Sequence, residues 1–448
     1  MRLRFAGLWR HADFAKLWTG QTISLFGSQI TLLALPVTAV LILNATPLQM
    51  GLLTAAGTVP SLLLGLFVGA WVDRYRRRPI LIAADLGRAA LLAAIPLAAL
   101  LGVLHIEVLY LVALLVGTLG LFFDVAYHSF LPSLVGSGQL VEGNSKLEMS
   151  ESVAEIFGSG AAGGLVQLLT APLAIALDAV SFLISALFLA WIRTPEPASR
   201  PPEEQQNIWQ EIGEGLRLVA GNRLLRAIAG CMGTVSLFNS VLEAVAILYL
   251  VREVGLEPGV LGLIFASGSV GFLFGTFVTA WVTCRFGLGR GIIGGLLLVG
   301  LSDLLIPLVN RSMAAVAIAL VLIAAQFFFG LGLVIFRIGQ VSLRQAVTPD
   351  PLQGRMNATI SFITWGIVPL GGLLGGGLGQ ALGLRPTLLL AALGELLAIL
   401  WLLLSPIRSL REQPASEHEL LGSTTAPPGS SDPRAGRRDL AILPGPQG

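Results

Sequence analysis

GLLTAAGTVPSLLLGLFVGAWVDRYRRRP, residues 51–79, is apolar as far as Val72 and then stops at an acid followed by four arginines in five positions. Trp71 and Val72 suit hydrocarbon, whereas Asp73, Arg74, Arg76, Arg77 and Arg78 would each cost about 2.5 to 3.5 kcal/mol at a bilayer centre. The stretch therefore reads as a membrane span that ends in a basic loop at the lipid surface. The rest of the chain agrees with it. Of 448 residues 54% are hydrophobic and only 12% charged, mean hydropathy is +0.81, and a soluble protein carries roughly 25% charge. The chain is expected to be an integral membrane protein.

A helix needs about 20 residues to cross the hydrocarbon core. Twelve segments meet that length: 14–43, 48–72, 80–104, 106–134, 143–170, 172–192, 224–251, 259–284, 290–310, 313–340, 355–382 and 385–406. Their apolar residues run all round instead of alternating with period two, so an all-α protein is expected rather than a β-barrel. The stretch TPEPASRPPEEQQN (194–207) divides the spans six and six. The expected organisation is a cytoplasmic N-terminus (1–13), a first six-helix bundle (14–192), a cytoplasmic linker (193–223), a second bundle (224–406) and a disordered cytoplasmic tail (407–448). Within the linker, Ile208, Ile212, Leu216 and Val219 recur at helical spacing, predicting a short amphipathic helix on the membrane surface.

Several chemistries are missing. There is no G-x-x-x-x-G-K-[ST] loop, no dinucleotide fingerprint after a strand and no H-E-x-x-H. Cys231 and Cys284 offer neither a disulfide framework nor a thiolate site. No catalytic residue, cofactor or metal is expected. Only Lys16 and Lys146 are lysine, so nucleic acid is not an expected partner; a small molecule, protons and membrane lipid are. Basic residues gather at one face: Arg2, Arg4, Arg10 and Lys16, arginines of 74–78, Arg193, Arg217, Arg223, Arg285, Arg337, Arg344 and Arg355. The opposite face receives Arg252, Arg311 and Arg385. That asymmetry predicts both termini in the cytoplasm.

GLLTAAGTVPSLLLGLFVGAWVDRY, from Gly51, is similar to GLIFASGSVGFLFGTFVTAWVTCRF, from Gly262, and Trp71 and Trp281 stand 210 positions apart. Such a repeat predicts two bundles in the same orientation with a site between them near the midplane. The pattern Gly69-x-x-x-Asp73-Arg74-x-Arg76-Arg77-Arg78 resembles the loop signature of the major facilitator superfamily, with Arg76 where that signature has glycine. LPSLV (131–135), LDAVSFLISALFLAWIR (177–193), VTPDPLQGRMNA (347–358) and PLGGLLGGGL (369–378) resemble its bacterial macrolide-efflux and enterobactin-exporter branch. The resemblance implies the major facilitator fold, twelve helices in two pseudo-symmetric six-helix bundles. It also implies that spans 1, 4, 7 and 10 line a cavity, and makes Gly69, Asp73, Arg74, Arg77 and Arg78 a gating loop, or alternatively a topology anchor. Phe26, Phe123, Phe238, Asn239, Phe327 and Phe328 are candidate lining residues.

Ionisable groups inside spans are functional candidates. Asp124 and His128 fall one turn apart and suit a proton relay or a structural pair. Glu243 stands without a basic residue within one turn, as a carboxylate that faces water or stays protonated. Glu148, Glu151 and Glu155 form an acidic face that either draws cations to the inner mouth or merely opens a helix behind an Asn144 or Ser145 cap. Asp85 and Arg88 are expected to pair, Asp178, Asp303 and Glu395 rank lower, and Arg337 reads as a snorkelling group at a helix end. Small residues of FGSGAAGGL (157–165) predict a close helix contact. The expected function is export of a small amphiphilic compound, drug-like, macrolide-like or siderophore-like, across a bacterial inner membrane by proton antiport. An importer or facilitator, a lysolipid translocator and a non-transporting sensor or assembly partner are the alternatives.

Overall fold

Some turns between the spans are so short that a single residue makes them. Thr170 (φ 78°) joins the fifth and sixth spans, and Gly383 (φ 91°) joins the eleventh and twelfth. These backbone angles favour glycine, which lacks the Cβ that clashes there. The computed structural model describes residues 8–72, 74–136, 139–194, 196, 208–349 and 352–410. Asp73 of the expected gating loop, most of the expected linker and residues 411–448 lie outside the described residues.

Among the described residues twelve helices are long and apolar enough to cross a membrane. In the first bundle they are α1 (Ala12–Leu41), α2 (Pro47–Val72), α3 (Arg77–Leu100), α4 (Ile106–Val135), α5 (Leu140–Leu169) and α6 (Ala171–Ala190). The second has α7 (Arg223–Val254), α8 (Pro258–Phe286), α9 (Leu288–Leu308), α10 (Ala315–Ala346), α11 (Gln353–Leu382) and α12 (Leu384–Leu403). A linker helix, Ile208–Gly221, lies between the bundles, and no strand occurs among the described residues. Packing repeats from one half to the other. α1 on α6, α2 on α4 and α3 on α4 have their counterparts in α7 on α12, α8 on α10 and α9 on α10.

The bundles meet along two seams, α2 against α11 and α5 against α8. Both seams are close at the end remote from the linker, where a Cβ on Gly51 would overlap the backbone of Gly372 and Gly376, and one on Gly163 that of Pro258 and Gly262. Small residues let these helices approach backbone to backbone. Two polar contacts tie the same end, Gln167 Nε2 donating to Glu257 Oε2 at 2.8 Å and Arg252 donating to the Val40 carbonyl at 3.4 Å.

At the other end, the chain leaving α6 is clamped to its own bundle. Asp13 accepts from the Arg193 and Thr194 amides at 3.1 and 2.9 Å, and Glu196 accepts from the Arg77 and Arg78 amides at 2.7 Å each, capping α3. The linker helix joins the second bundle. Its Val219 is buried with Met356 and Ile360 of α11, and Glu214 pairs with Arg355, while Leu216 is exposed. The side chains of Ile208 and Ile212 lie outside the described residues.

Three boundaries differ from expectation. α5 begins at Leu140, so Asn144 and Ser145 lie inside it and cap nothing; the cap position is Gln139, without a side-chain bond. α10 continues to Ala346, which puts Arg337 more than two turns before its end. The expected tail starts later than 407, because Pro406–Ser409 form a helical turn, Ile407 is buried and the Gly289 amide donates to the Leu410 carbonyl at 3.0 Å. Polar residues at these places resemble loop in a one-dimensional reading but are accommodated within helical packing.

Candidate functional site

Charges of both bundles collect at the linker end, where no glycine seam joins α5 to α8 or α2 to α11. Asp124 and His128 lie a turn apart on α4; Glu148, Glu151 and Glu155 follow one face of α5; Arg337 comes from α10. All six keep accessible surface. Glu151 is within electrostatic reach of Glu148, Arg337, Asp124 and His128, and Glu155 of Glu151, Arg337 and Glu148. Residues expected to act separately thus form one cluster that spans the two halves. Because the acids are interior to α5, a first-turn dipole does not account for them. Arg337 faces these acids instead of snorkelling to the lipid surface. Four carboxyl groups share the vestibule with Arg337 and His128, while Arg88 of the Asp85 pair also acts on Asp124 and Arg344 on Arg337, and the exposed acids of α5 are what a cation would meet there. α5 itself has a π-helical turn at Ala154–Gly158, the local insertion that often marks functional sites.

Behind the vestibule, the first bundle contains a compensated ionic group. Arg88 and Asp85 pair at 2.5 Å, both buried, as expected from their spacing. The guanidinium lies over the rings of Phe123 and Phe182, 4.4 and 4.2 Å from their centroids. Asp178, 1% exposed, accepts from the Thr31 hydroxyl and from Ser181 Oγ at 3.0 Å. Phe123 is accordingly a bundle-interior residue and not a cavity wall, because it covers Arg88.

The second bundle holds acids at the corresponding helices, and here the reading of Glu243 as an isolated carboxylate is corrected. Glu243 on α7 is within electrostatic reach of Asp303 on α9. Glu395 on α12 adjoins Asp303 and Asn239, so Asn239 faces a carboxyl group rather than open cavity. Asp303 and Glu395, ranked low from sequence, are 2% and 0% exposed, whereas Glu243 keeps accessible surface.

The remaining aromatic candidates sit at helix contacts. Phe238 lies against Gly394 of α12, and Phe26 against Gly158 of α5. Phe327 touches Phe274 and Phe328 with centroids 5.9 and 5.5 Å apart, at the α8–α10 contact. Of the candidate rings only Phe328 is exposed, and Phe274, across the contact from Phe327, is exposed as well. In the basic loop, Arg78 donates to the carbonyls of Leu189, at 2.9 Å, and Ala190, both within the first bundle. Gly69 has open space beside it, and Arg74 and Arg77 are engaged in contacts of their own. Glu196 was not foreseen as the cap of α3; its signal was an acid in a proline-rich stretch shortly after the end of the sixth span.

The chain matches the description of the Major Facilitator Superfamily over residues 17–247 and 228–441. The chain belongs to that superfamily. Its members are transporters, not enzymes, and this member is a multi-pass membrane protein with twelve spans. It is 29% identical over 391 residues to the multidrug efflux pump Tap of Mycolicibacterium fortuitum, covering 83% of this chain and 90% of that one. It is 25% identical over 272 residues to macrolide efflux protein A of Streptococcus pyogenes, covering 59% and 66%. Among solved structures, the superfamily fold is shared with a point mutant of the nucleoside transporter NupG, with TM-score 0.72, 12% identity and 88% and 99% coverage. A bacterial homologue of the iron transporter ferroportin in an inward-facing state gives TM-score 0.69 at 19% identity, covering 87% and 98%. Two pseudo-symmetric bundles of the major facilitator fold are therefore what this superfamily member has.

Proposed function

We propose that this transporter exports a small amphiphilic cation, drug-like or macrolide-like, across the bacterial inner membrane in exchange for protons. The observation that carries this reading is the acidic vestibule between the halves, on the side of the termini and opposite the glycine seams. With the termini cytoplasmic, as the basic residues indicate, that vestibule loads from the cytosol. Its excess of carboxyl groups suits an amine-bearing cargo better than an anionic siderophore. Asp124, His128 and Glu151 are the groups whose protonation competes with a bound cation. Alternating access follows as tilting of one bundle on the other, opening the glycine seams as the vestibule closes.

Inside-out membrane vesicles test the proposal with ethidium as the probe. Uptake is expected when the lumen is acidified, and D124N or E151Q should lower its rate by on the order of tenfold, equivalent to about 1.4 kcal/mol. Uptake only in right-side-out vesicles would make the protein an importer, and uptake indifferent to the proton gradient would remove the antiport.

A further inference from the structure

The two bundles repeat their helices but not their charge balance. In the first, Asp85 and Asp178 are accompanied by the buried Arg88 and by hydroxyl donors from Thr31 and Ser181. The second has three carboxyl groups at the matching helices α7, α9 and α12, and none of the ion pairs among the described residues involves them. Glu243, Asp303 and Glu395 are the titratable groups that act electrostatically on one another there, facing inward from α7, α9 and α12, while Asn239 of α7 is uncharged.

A second observation turns the acidic cluster into a site. Glu395 is fully buried, and neither of its carboxyl oxygens has a donor in good hydrogen-bond geometry, although the Asn239 amide is close by. Oδ2 of Asp303 is likewise buried without a donor, and the two carboxyl groups adjoin. Two carboxylates cannot hydrogen bond unless one is protonated, and two like charges so close in a dry interior cannot both persist. A proton between them supplies the missing donor and removes one charge. The three carboxyl groups do not converge as metal ligands, which leaves the proton as the cation that fits. Only Glu243 of the three keeps accessible surface.

We propose that Asp303 and Glu395 hold one proton between them inside the second bundle, and that Glu243 is the group through which this proton exchanges with water. In the exchange the pair's proton passes to the Glu243 carboxylate and from it to water, and the doubly charged pair left behind is transient, refilled by a proton that returns through Glu243. The first bundle, with Arg88 in place, has a fixed cation where the second has this mobile one. The proposal rests on the proton-antiport reading for its role in transport, but the shared proton can be sought without transport.

Purified full-length protein in lipid nanodiscs would be followed by infrared difference spectroscopy, reading the carbonyl stretch of neutral carboxyl groups and its shift in heavy water. The wild type is expected to show a neutral-carboxyl band at neutral pH that E395Q and D303N each abolish, with elution and thermal unfolding unchanged. E243Q should retain the band but slow its deuterium shift by on the order of a hundredfold, the scale of a lost proton relay. A wild type without the band overturns the shared proton even if the variants do not fold, as does a band that survives both substitutions; an unslowed shift in E243Q overturns the relay. Gradient-driven ethidium uptake with no band would sink the shared proton alone, whereas the band with gradient-independent uptake would sink antiport alone.

Discussion

Arg88 illustrates how much one residue settles. It is buried between two aromatic rings and paired with Asp85, so removing it leaves an uncompensated charge in the bundle. Breaking a buried pair from one side costs about 3 to 5 kcal/mol, while replacing both partners is close to neutral. R88M is expected to lower the thermal midpoint in detergent strongly, and D85N/R88M to recover most of the loss. Equal damage in the single and double variants would show that the rings, not the ion pair, hold this site. Thr170 makes the opposite case. Its φ of 78° and ψ of 152° match the region of Gly383, where a β-branched residue is strained. T170G is expected to stabilise the protein by about 1 kcal/mol, visible as a raised unfolding midpoint; a lowered midpoint would contradict it.

Among the elements, α3 begins with two amides held by the Glu196 carboxylate. Losing such a cap costs about 0.5 to 2 kcal/mol, so E196A should be detectably less stable, with E196Q retaining part of the difference. The seam of α5 on α8 gives a conformational counterpart. G262L places a side chain where the Gly163 backbone passes, and should spread the ends remote from the linker. Spin-label distances across that end should lengthen, and an unchanged distribution would mean the seam has other room. Helix number was legible because a bilayer imposes a minimum apolar length, and Asp85–Arg88 because both lie on one helix. Boundaries of α5 and α10 were not, since Asn144, Ser145 and the polar residues after Gln340 look like loop until their surroundings are known.

For the whole molecule, pairing between helices distant in sequence was the least legible level. Glu243 was visible as a charge in a span, but its neighbours Asp303 and Glu395 are dozens of residues away, and no periodicity within a helix brings them to it. The same holds for Arg337, read as a helix-end group until α10 proved longer and the acids of α5 came opposite. Orientation belongs to this scale as well. Fusing a reporter that works only in the cytoplasm to either end should give signal from both; silence from both would reverse the direction of transport argued above, and silence from one alone would contradict the even number of spans.

The closure made by Gly51, Gly163, Gly262, Gly372 and Gly376 is bare main chain. With the termini in the cytosol, it lies toward the cell exterior. On the proposed export reading, a cyclic peptide or antibody loop that clasps that closure is expected to arrest transport without first crossing the membrane.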